Sequence, residues 1–251
     1  MTLYFIGIGL NDEKDITLKG LEAVKMCDHV YLESYTSKLQ CSVSDLEKLY
    51  GKKIILADRA LVEKRAYEIL EDAKDKNVAF LVIGDIFGAT THTDLMLRAK
   101  EKGIECEFIH NASIINAIGV VGLELYKFGK TTSIPFGTES FKPETAYDVI
   151  KENQSHGLHT LILLDLKPLE NRFMTVNDGV KTLLDIENKR DEKIFTEDKK
   201  ILGCARIGGN HKIKYCYAKD LLEEDFGPAL HCIIVPGKLH FIEEEALKLW
   251  E

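Results

Sequence analysis

The chain has 251 residues, of which 45% are hydrophobic and 29% charged, and its formal net charge is −8. This length allows one large domain or two modest ones, and the acidic charge opposes the long-range attraction to phosphate that non-specific nucleic-acid binding requires. No stretch reaches the roughly 18 apolar residues of a membrane-spanning helix, and the start MTLYFIGIGL lacks the features of a signal peptide. We therefore expect a cytoplasmic protein that binds neither nucleic acid nor membrane.

The first part of the chain, from residue 3 to about 110, alternates short apolar runs with amphipathic stretches, as the strands and helices of a parallel α/β sheet do. The predicted strands are LYFIGI, HVYLES, KIILA, VAFLVIG and IECEFI, and the predicted helices cover 17–27, 43–50, 60–76 and 92–102. A further helix is expected to start at Asn111 as its cap and to run through SIINAIGVVGLELY. Gly119 and Gly122 weaken that helix unless close packing requires them.

The second part restarts after KFGKTTSIPF with a helix from Pro143 to just before Gly157, the strand HTLILLDL and a helix at about 176–189. ILGCARI and KIKYCYA, separated by GGNH, predict an antiparallel pair around a glycine turn, followed by the strand LHCIIV and a short closing helix. The sequence thus predicts an α/β fold with two domains, 1–110 and 111–251, and a crossover near 111–135. The N-terminal sheet is expected to be mainly parallel, the C-terminal sheet mixed, and a cleft to lie between the domains.

The cysteines and histidines form no recognisable metal-binding pattern. The six cysteines include no Cys-x-x-Cys pair, and His156 and His159 lack a neighbouring Cys or carboxylate cluster that would complete a ligand set. We expect reduced thiols and no metal.

A pair of glycines after the first strand, Gly7 and Gly9, together with Glu33 after the second, imitates a dinucleotide-binding fingerprint. Asp12 stands where the third glycine of that motif belongs, and Glu13 follows it, so a pyrophosphate would face carboxylates. A glycine pair by itself equally fits a simple turn. An NAD-dependent dehydrogenase is therefore a disfavoured alternative.

Two further junctions between strand and helix, GDIFGATTH at 84–92 and HNASI at 110–114, lie where open α/β sheets bind ligands. Asp85 can offset a positive charge, Gly88 can let the backbone approach a ligand, and the first helical turn after HNASI offers N–H groups to a carboxylate. An ordinary helix start explains Thr90, Thr91 and His92 equally well. The combination suits a zwitterionic, cationic ligand such as S-adenosyl-L-methionine better than a nucleotide phosphate.

Seven segments in order, FIGIGLNDEKDITLKGLE, YTS, VIGDIFGATTH, IHNASI, GLHTLILLDLK, CARIG and VPGKLHFIE, resemble the diphthine synthase family of class III methyltransferases, which have the tetrapyrrole-methylase fold. The resemblance covers essentially the whole chain. It implies two α/β domains, S-adenosyl-L-methionine in the cleft between them with S-adenosyl-L-homocysteine as its product, and a homodimer. The cofactor contacts that it implies are Leu10, Asp85, Gly88, Ser113, Ile114, Leu164, Ile207 and His231.

Without the resemblance, the four aliphatic residues in this set would be assigned to the core and His231 to a structural hydrogen bond. The family commonly has proline where this chain has Ile86, so we expect an altered loop stiffness and retained binding.

The reaction that the resemblance implies is repeated methylation of the 3-amino-3-carboxypropyl group on a histidine of translation elongation factor 2, in diphthamide biosynthesis. GDIFGATTH and HNASI look closer to the eukaryotic form, which favours four methylations, giving diphthine methyl ester, over three, giving diphthine. The motifs identify no catalytic residue. The same fold would also suit a tetrapyrrole methylase or a binding protein without catalytic activity.

Overall fold

The computed structural model describes residues 1–90, 92–138 and 143–251, and for Leu169 the backbone alone. The chain divides into two compact units, Met1–Ala117 and Ile118–Glu251, which we call the first and second units.

The first unit contains a five-stranded sheet with the order β3-β2-β4-β1-β5, in which every pair of neighbours is parallel. Its strands are β1 (Thr2–Gly7), β2 (His29–Glu33), β3 (Ile54–Ala57), β4 (Val78–Val82) and β5 (Glu105–Ile109). Its helices are α1 (Leu18–Met26), α2 (Val43–Tyr50), α3 (Arg59–Glu63), α4 (Ala66–Asp75), α5 (Thr93–Glu101) and α6 (Ile114–Ala117). The carboxyl ends of all five strands therefore meet at one edge of the sheet.

Both faces of this sheet are buried, because successive residues of a strand point to opposite sides. In β4, Phe80 packs with the cluster that α3, α4 and α5 cover, whereas Leu81 packs with the cluster that α1 and α2 cover. This burial on both sides explains why VAFLV is apolar throughout. The predicted mainly parallel N-terminal sheet is confirmed.

The second unit contains a mixed sheet with the order β11-β10-β12-β7-β6, in which only β6 and β7 are parallel neighbours. Its strands are β6 (Thr132–Ile134), β7 (Thr160–Leu164), β8 (Leu166–Lys167), β9 (Arg172–Phe173), β10 (Lys200–Ala205), β11 (Lys212–Tyr217) and β12 (His231–Val235). Its α-helices are α7 (Thr145–Ser155), α8 (Val176–Arg190) and α9 (Phe241–Leu247). The predicted mixed C-terminal sheet and the antiparallel pair around GGNH are confirmed, whereas β6 and the small β8-β9 hairpin were not predicted.

The long helix predicted from Asn111 onward is wrong. Helix α6 has four residues, and two short 3₁₀ turns follow at Ile118–Val121 and Leu125–Lys127. Gly122 has φ +90°, and a Cβ there would lie 2.4 Å from the Cβ of Ala246 in α9. Close packing against α9 therefore holds Gly122 in a left-handed conformation that an α-helix does not contain.

The helix predicted at 60–76 is also two helices, α3 and α4. Between them Arg65 has φ −115° and ψ +24°, and its N–H donates to the carbonyl of Ala60, one residue beyond the α-helical partner. This slip in the hydrogen-bond ladder ends one helix before the other begins.

Candidate active site

The loop after β1 and the loop after β4 are joined through two glycines at the carboxyl edge of the first sheet. The N–H of Gly84 donates to the carbonyl of Gly9 at 2.7 Å, and the N–H of Gly9 donates to that of Gly84 at 3.3 Å. Both have positive φ, +80° at Gly9 and +88° at Gly84, which glycine adopts without steric cost. This contact places half-buried Leu10 beside the start of GDIFGATTH. A Cβ built on Gly84 would lie 3.6 Å from Cδ2 of Leu10.

The turn after Gly9 is closed by a carboxylate of the protein itself. Oδ2 of Asp15 accepts hydrogen bonds from the N–H groups of Leu10 at 3.1 Å and Asn11 at 2.7 Å. These are the donors that a pyrophosphate would need in a dinucleotide-binding loop. Glu33 is also engaged, because it is buried and accepts hydrogen bonds from Tyr35 and Thr36. Both observations disfavour the dehydrogenase alternative.

Asp85 links the loop after β4 to the residues that follow β5. Its Oδ1 accepts from the N–H of Phe87 at 3.0 Å, and its Oδ2 accepts from the N–H of Asn111 at 3.1 Å and from Nδ1 of His110 at 2.8 Å. Burial opposes ionisation, but these hydrogen bonds and the imidazole outweigh it, so the pKa of Asp85 lies below its usual value. The carboxylate is therefore charged at neutral pH.

Gly88 and Ser113 approach each other more closely than two residues with side chains can. A Cβ on Gly88 would lie 2.5 Å from Oγ of Ser113 and 2.6 Å from its Cβ. The structure thus brings together Asp85, Gly88 and Ser113 from two different loops. Thr91, in the same motif, lies outside the described residues.

Asn111 joins three loops at this edge, a role that its prediction as a helix cap missed. Its Nδ2 donates to the carbonyls of Gly7 at 3.0 Å and Asp15 at 2.9 Å, and its Oδ1 accepts from the N–H of Ala112 at 2.7 Å. The helix cap of α6 is instead Ser113, whose Oγ accepts a hydrogen bond from the N–H of Ile115 at 3.3 Å. The only sequence signal for Asn111 was its place within HNASI.

Ile114 is the first residue of α6, and its N–H donates to no other residue in the described part of the chain. Two nearby N–H groups are engaged. The N–H of Ser113 donates to Oδ1 of Asn116, and the N–H of Asn116 donates to the carbonyl of Ser113. One backbone donor therefore stays available here, fewer than the full helical turn that the sequence predicted.

The three residues assigned in the second unit lie at one end of its sheet. Leu164 is the last residue of β7, Ile207 follows β10 by two residues, and His231 begins β12. The antiparallel registers place Ala205 opposite His231, and Leu163 opposite Cys232, which follows His231 in the chain. All three assigned side chains are buried, with 7% or 8% of their surface exposed.

His231 is held as a neutral imidazole. Its Nδ1 accepts from the N–H of Val176 at 3.3 Å, while Nε2 lies 3.2 Å from the carbonyls of Gly227 and Pro228. Only the tautomer with a proton on Nε2 satisfies both contacts. Burial lowers the pKa of His231 below its usual value, although the two carbonyls oppose this effect.

The cysteines form no disulfides. All six cysteines are free thiols. Within 1–90, 92–138 and 143–251, no three His, Cys, Asp or Glu side chains are grouped closely enough to bind a metal ion. Over those same ranges no helix has the length and apolar character to cross a bilayer.

Comparison with known families identifies the class of protein that this fold represents. The model of the Tetrapyrrole (Corrin/Porphyrin) Methylases matches residues 2–196. The chain belongs to this family, and it is an S-adenosylmethionine-dependent methyltransferase.

Similar proteins of nearly equal length indicate which methyltransferases of this class the chain resembles. A diphthine synthase of Methanocaldococcus jannaschii is 51% identical, over 98% of this chain and 97% of its own. A diphthine methyl ester synthase of Dictyostelium discoideum is 49% identical, over 98% and 96%. A crystal structure of diphthine synthase with 39% identity superimposes with a TM-score of 0.91, covering all of this chain and 96% of the other.

Proposed function

We propose that the chain transfers methyl groups from S-adenosyl-L-methionine to the 3-amino-3-carboxypropyl group on a histidine of translation elongation factor 2. The observation that carries this proposal is about 50% sequence identity over nearly the whole chain to enzymes named for diphthine synthesis. We further propose four transfers, giving diphthine methyl ester, because GDIFGATTH and HNASI favour the eukaryotic form. Three transfers, giving diphthine, are the alternative, and relatives with either name are similarly close.

The residues assigned to the cofactor have suitable chemistry. When bound, S-adenosyl-L-methionine supplies an electrophilic methyl group on a positively charged sulfur. In the first unit, the ionised Asp85 offers negative charge, the N–H of Ile114 offers a donor, and Leu10 offers apolar surface. Gly88 lets the two loops approach each other, since a Cβ there would lie 2.5 Å from Oγ of Ser113. The direct contact of each residue with the cofactor is part of the proposal.

The second unit offers an apolar environment with one polar group. Leu164 and Ile207 are buried aliphatic residues, and His231 is neutral with both ring nitrogens engaged by backbone groups. Such a set suits the flat, uncharged adenine better than the charged end of the ligand.

The protein's contribution to the reaction is mainly alignment and exclusion of water. The attacking groups belong to the substrate, its amine in the first three transfers and its carboxylate in the fourth, so the enzyme needs no covalent nucleophile of its own. Alignment of reactants in a dry site is worth up to roughly 7–11 kcal/mol. The amine must be neutral to attack, so a proton leaves before each of the three attacks by nitrogen, and the trimethylammonium that the third attack forms has none to lose.

Replacement of Asp85 by alanine tests the cofactor assignment. We expect the affinity for S-adenosyl-L-homocysteine, measured by isothermal titration calorimetry, to fall about tenfold or more, since a buried charge-assisted hydrogen bond is worth roughly 1.5–3 kcal/mol. Asp94→Ala is the matched control, because Asp94 lies in α5 nearby and forms an exposed ion pair with Arg98. Equal affinities of the two variants would contradict the assignment of Asp85.

Mass spectrometry of elongation factor 2 tests the reaction and counts its steps. The substrate is elongation factor 2 that carries the unmethylated intermediate, incubated with S-adenosyl-L-methionine and the wild-type enzyme. We expect four successive additions of one methyl group to one histidine. Three additions would favour diphthine as the product, and transfer to uroporphyrinogen with an inert elongation factor would favour the tetrapyrrole alternative.

We propose a homodimer in the cytoplasm, as the resemblance and the sequence imply, and analytical ultracentrifugation tests the first of these. A single species at the mass of one 28.4 kDa chain would contradict the dimer.

A further inference from the structure

The pair formed by Asp85 and His110 has a geometry beyond what cofactor binding requires. His110 directly follows β5, and its Nδ1 lies 2.8 Å from Oδ2 of Asp85. The His110 side chain is 66% exposed, whereas that of Asp85 is 15% exposed. A carboxylate anchored by two backbone N–H groups thus holds one side of an accessible imidazole ring.

This arrangement determines which ring nitrogen is free. Asp85 is ionised and can only accept, so Nδ1 of His110 must carry the proton that joins them. In the neutral ring Nε2 is then an unprotonated acceptor, and it has no hydrogen-bond partner within the described ranges. A histidine oriented by a carboxylate, with its second nitrogen open, is the arrangement that enzymes use for general bases.

We propose that His110 is the general base of the methyl transfers to nitrogen, and that Asp85 orients it. This inference rests on the proposed function. When the neutral amine attacks, the new carbon–nitrogen bond forms as the carbon–sulfur bond breaks, and the nitrogen becomes an ammonium. Before each attack, Nε2 of His110 accepts one proton from the protonated substrate amine and releases it to water, which leaves the amine neutral for the transfer. The third attack gives a trimethylammonium, which has no proton to lose. Asp85 stays ionised and stabilises the imidazolium through Nδ1.

A second aspartate–histidine pair in the same unit provides a matched control. Nδ1 of His29 lies 2.5 Å from Oδ2 of Asp72, but Nε2 of His29 is already 3.3 Å from Nζ of Lys76. His29 is the first residue of β2, so it lies at the amino edge of the parallel sheet, away from the loops that hold Asp85. The two pairs share their chemistry and differ in position and in access to Nε2.

The kinetic test compares His110→Gln with His29→Gln on elongation factor 2 that carries the unmethylated intermediate. We expect the rate of the first transfer to fall about 100-fold in His110→Gln, the lower end of the usual effect of a general base. The affinity for S-adenosyl-L-homocysteine should stay within threefold of wild type, and His29→Gln should stay within threefold in both measurements. Added imidazole should restore part of the rate of His110→Ala.

A spectroscopic readout tests the orientation without any reaction. In wild-type protein labelled with ¹⁵N-histidine, the neutral ring of His110 should have its proton on Nδ1 and an unprotonated Nε2. In Asp85→Ala it should revert to the ordinary mixture, in which Nε2–H predominates. A wild-type ring already in that mixture overturns the proposed orientation.

The remaining outcomes separate the two proposals. Absence of any transfer to elongation factor 2 by the wild-type enzyme overturns the proposed function. Wild-type transfer that His110→Gln leaves within threefold overturns the assignment of His110 alone, as does an equal loss of rate in His29→Gln.

Discussion

Replacement of Asn111 by alanine should loosen the carboxyl edge of the first sheet. The change removes three side-chain hydrogen bonds, of 3.0, 2.9 and 2.7 Å, to the backbone of Gly7, Asp15 and Ala112. Each such bond contributes about 0.5–1.5 kcal/mol net, and Asn111 is only half-buried, so water can replace part of what is lost. We therefore expect the unfolding free energy of the first unit to fall by about 2–3 kcal/mol.

Hydrogen exchange of peptides from β1, β4 and β5, followed against urea concentration, measures this loss in the first unit alone, which avoids assuming that the two units unfold together. The affinity for S-adenosyl-L-homocysteine should fall in parallel, because the same bonds hold the loops that contain Leu10 and Ser113. Asn188→Ala is the control, since Asn188 is exposed in α8 and makes no side-chain hydrogen bond to any described residue. A loss below about 0.5 kcal/mol in Asn111→Ala, comparable to the control, would refute the reasoning.

Two other substitutions test contacts in each unit. Glu243→Gln should destabilise the second unit by about 3–5 kcal/mol, because buried Glu243 accepts from Lys127 and His159. Burial raises the pKa of Glu243, but Lys127, backbone N–H groups and His159 lower it more, to about 2. A carboxyl group with a lowered pKa stabilises the folded state at pH values above its ordinary pKa of 4.5, and this contribution is lost as the pH falls towards 2. Urea unfolding at several pH values should therefore show the unfolding free energies of wild type and variant converging in acid. Gly88→Ala should weaken binding of S-adenosyl-L-homocysteine, since the new Cβ must displace Ser113. Gly51→Ala also strains the backbone, because Gly51 has φ +69°, but nothing lies within 4 Å of its new Cβ, so the calorimetric affinity should stay unchanged.

The sequence predicted the elements whose patterns arise from local rules. VAFLV is apolar because both of its faces are buried. The helix predicted at about 176–189 corresponds to α8, whose start is fixed in the structure by the capping box of Thr175 and Asp178. GGNH marked the turn between β10 and β11. Asp85, Gly88 and Ser113 were assigned from a family resemblance. The structure shows which of their atoms make contacts.

What the sequence missed depends on contacts between distant residues. Gly122 packs on Ala246, which is 124 residues further along the chain, and this contact prevents the helix from continuing. The only local sequence feature that indicates it is the glycine itself. Asn111 was a plausible cap by residue type, but the carbonyls of Gly7 and Asp15 compete for its amide. The hydrogen bonds from Leu10 and Asn11 to Asp15, which close the turn after Gly9, could not be predicted from the glycine motif.

Ile86 stands where the resemblance implies a proline, and it anchors the loop that contains Asp85 by a different physical means. Its side chain is fully buried and belongs to the cluster of Phe80 and Leu95, between β4 and α5. A proline would restrict φ directly, whereas Ile86 restrains the loop through packing, and its carbonyl accepts from Oγ1 of Thr90 at 2.9 Å.

Ile86→Ala should therefore lower the unfolding free energy of the first unit by about 2–4 kcal/mol and also weaken the binding of S-adenosyl-L-homocysteine, because the same side chain fills the core and fixes the backbone beside Asp85. Hydrogen exchange measures the first effect and calorimetry the second. Leu70→Ala is the control, since Leu70 is equally buried in the same cluster but lies in α4. If both variants lose stability and neither loses affinity, the position of Asp85 does not depend on the packing of Ile86.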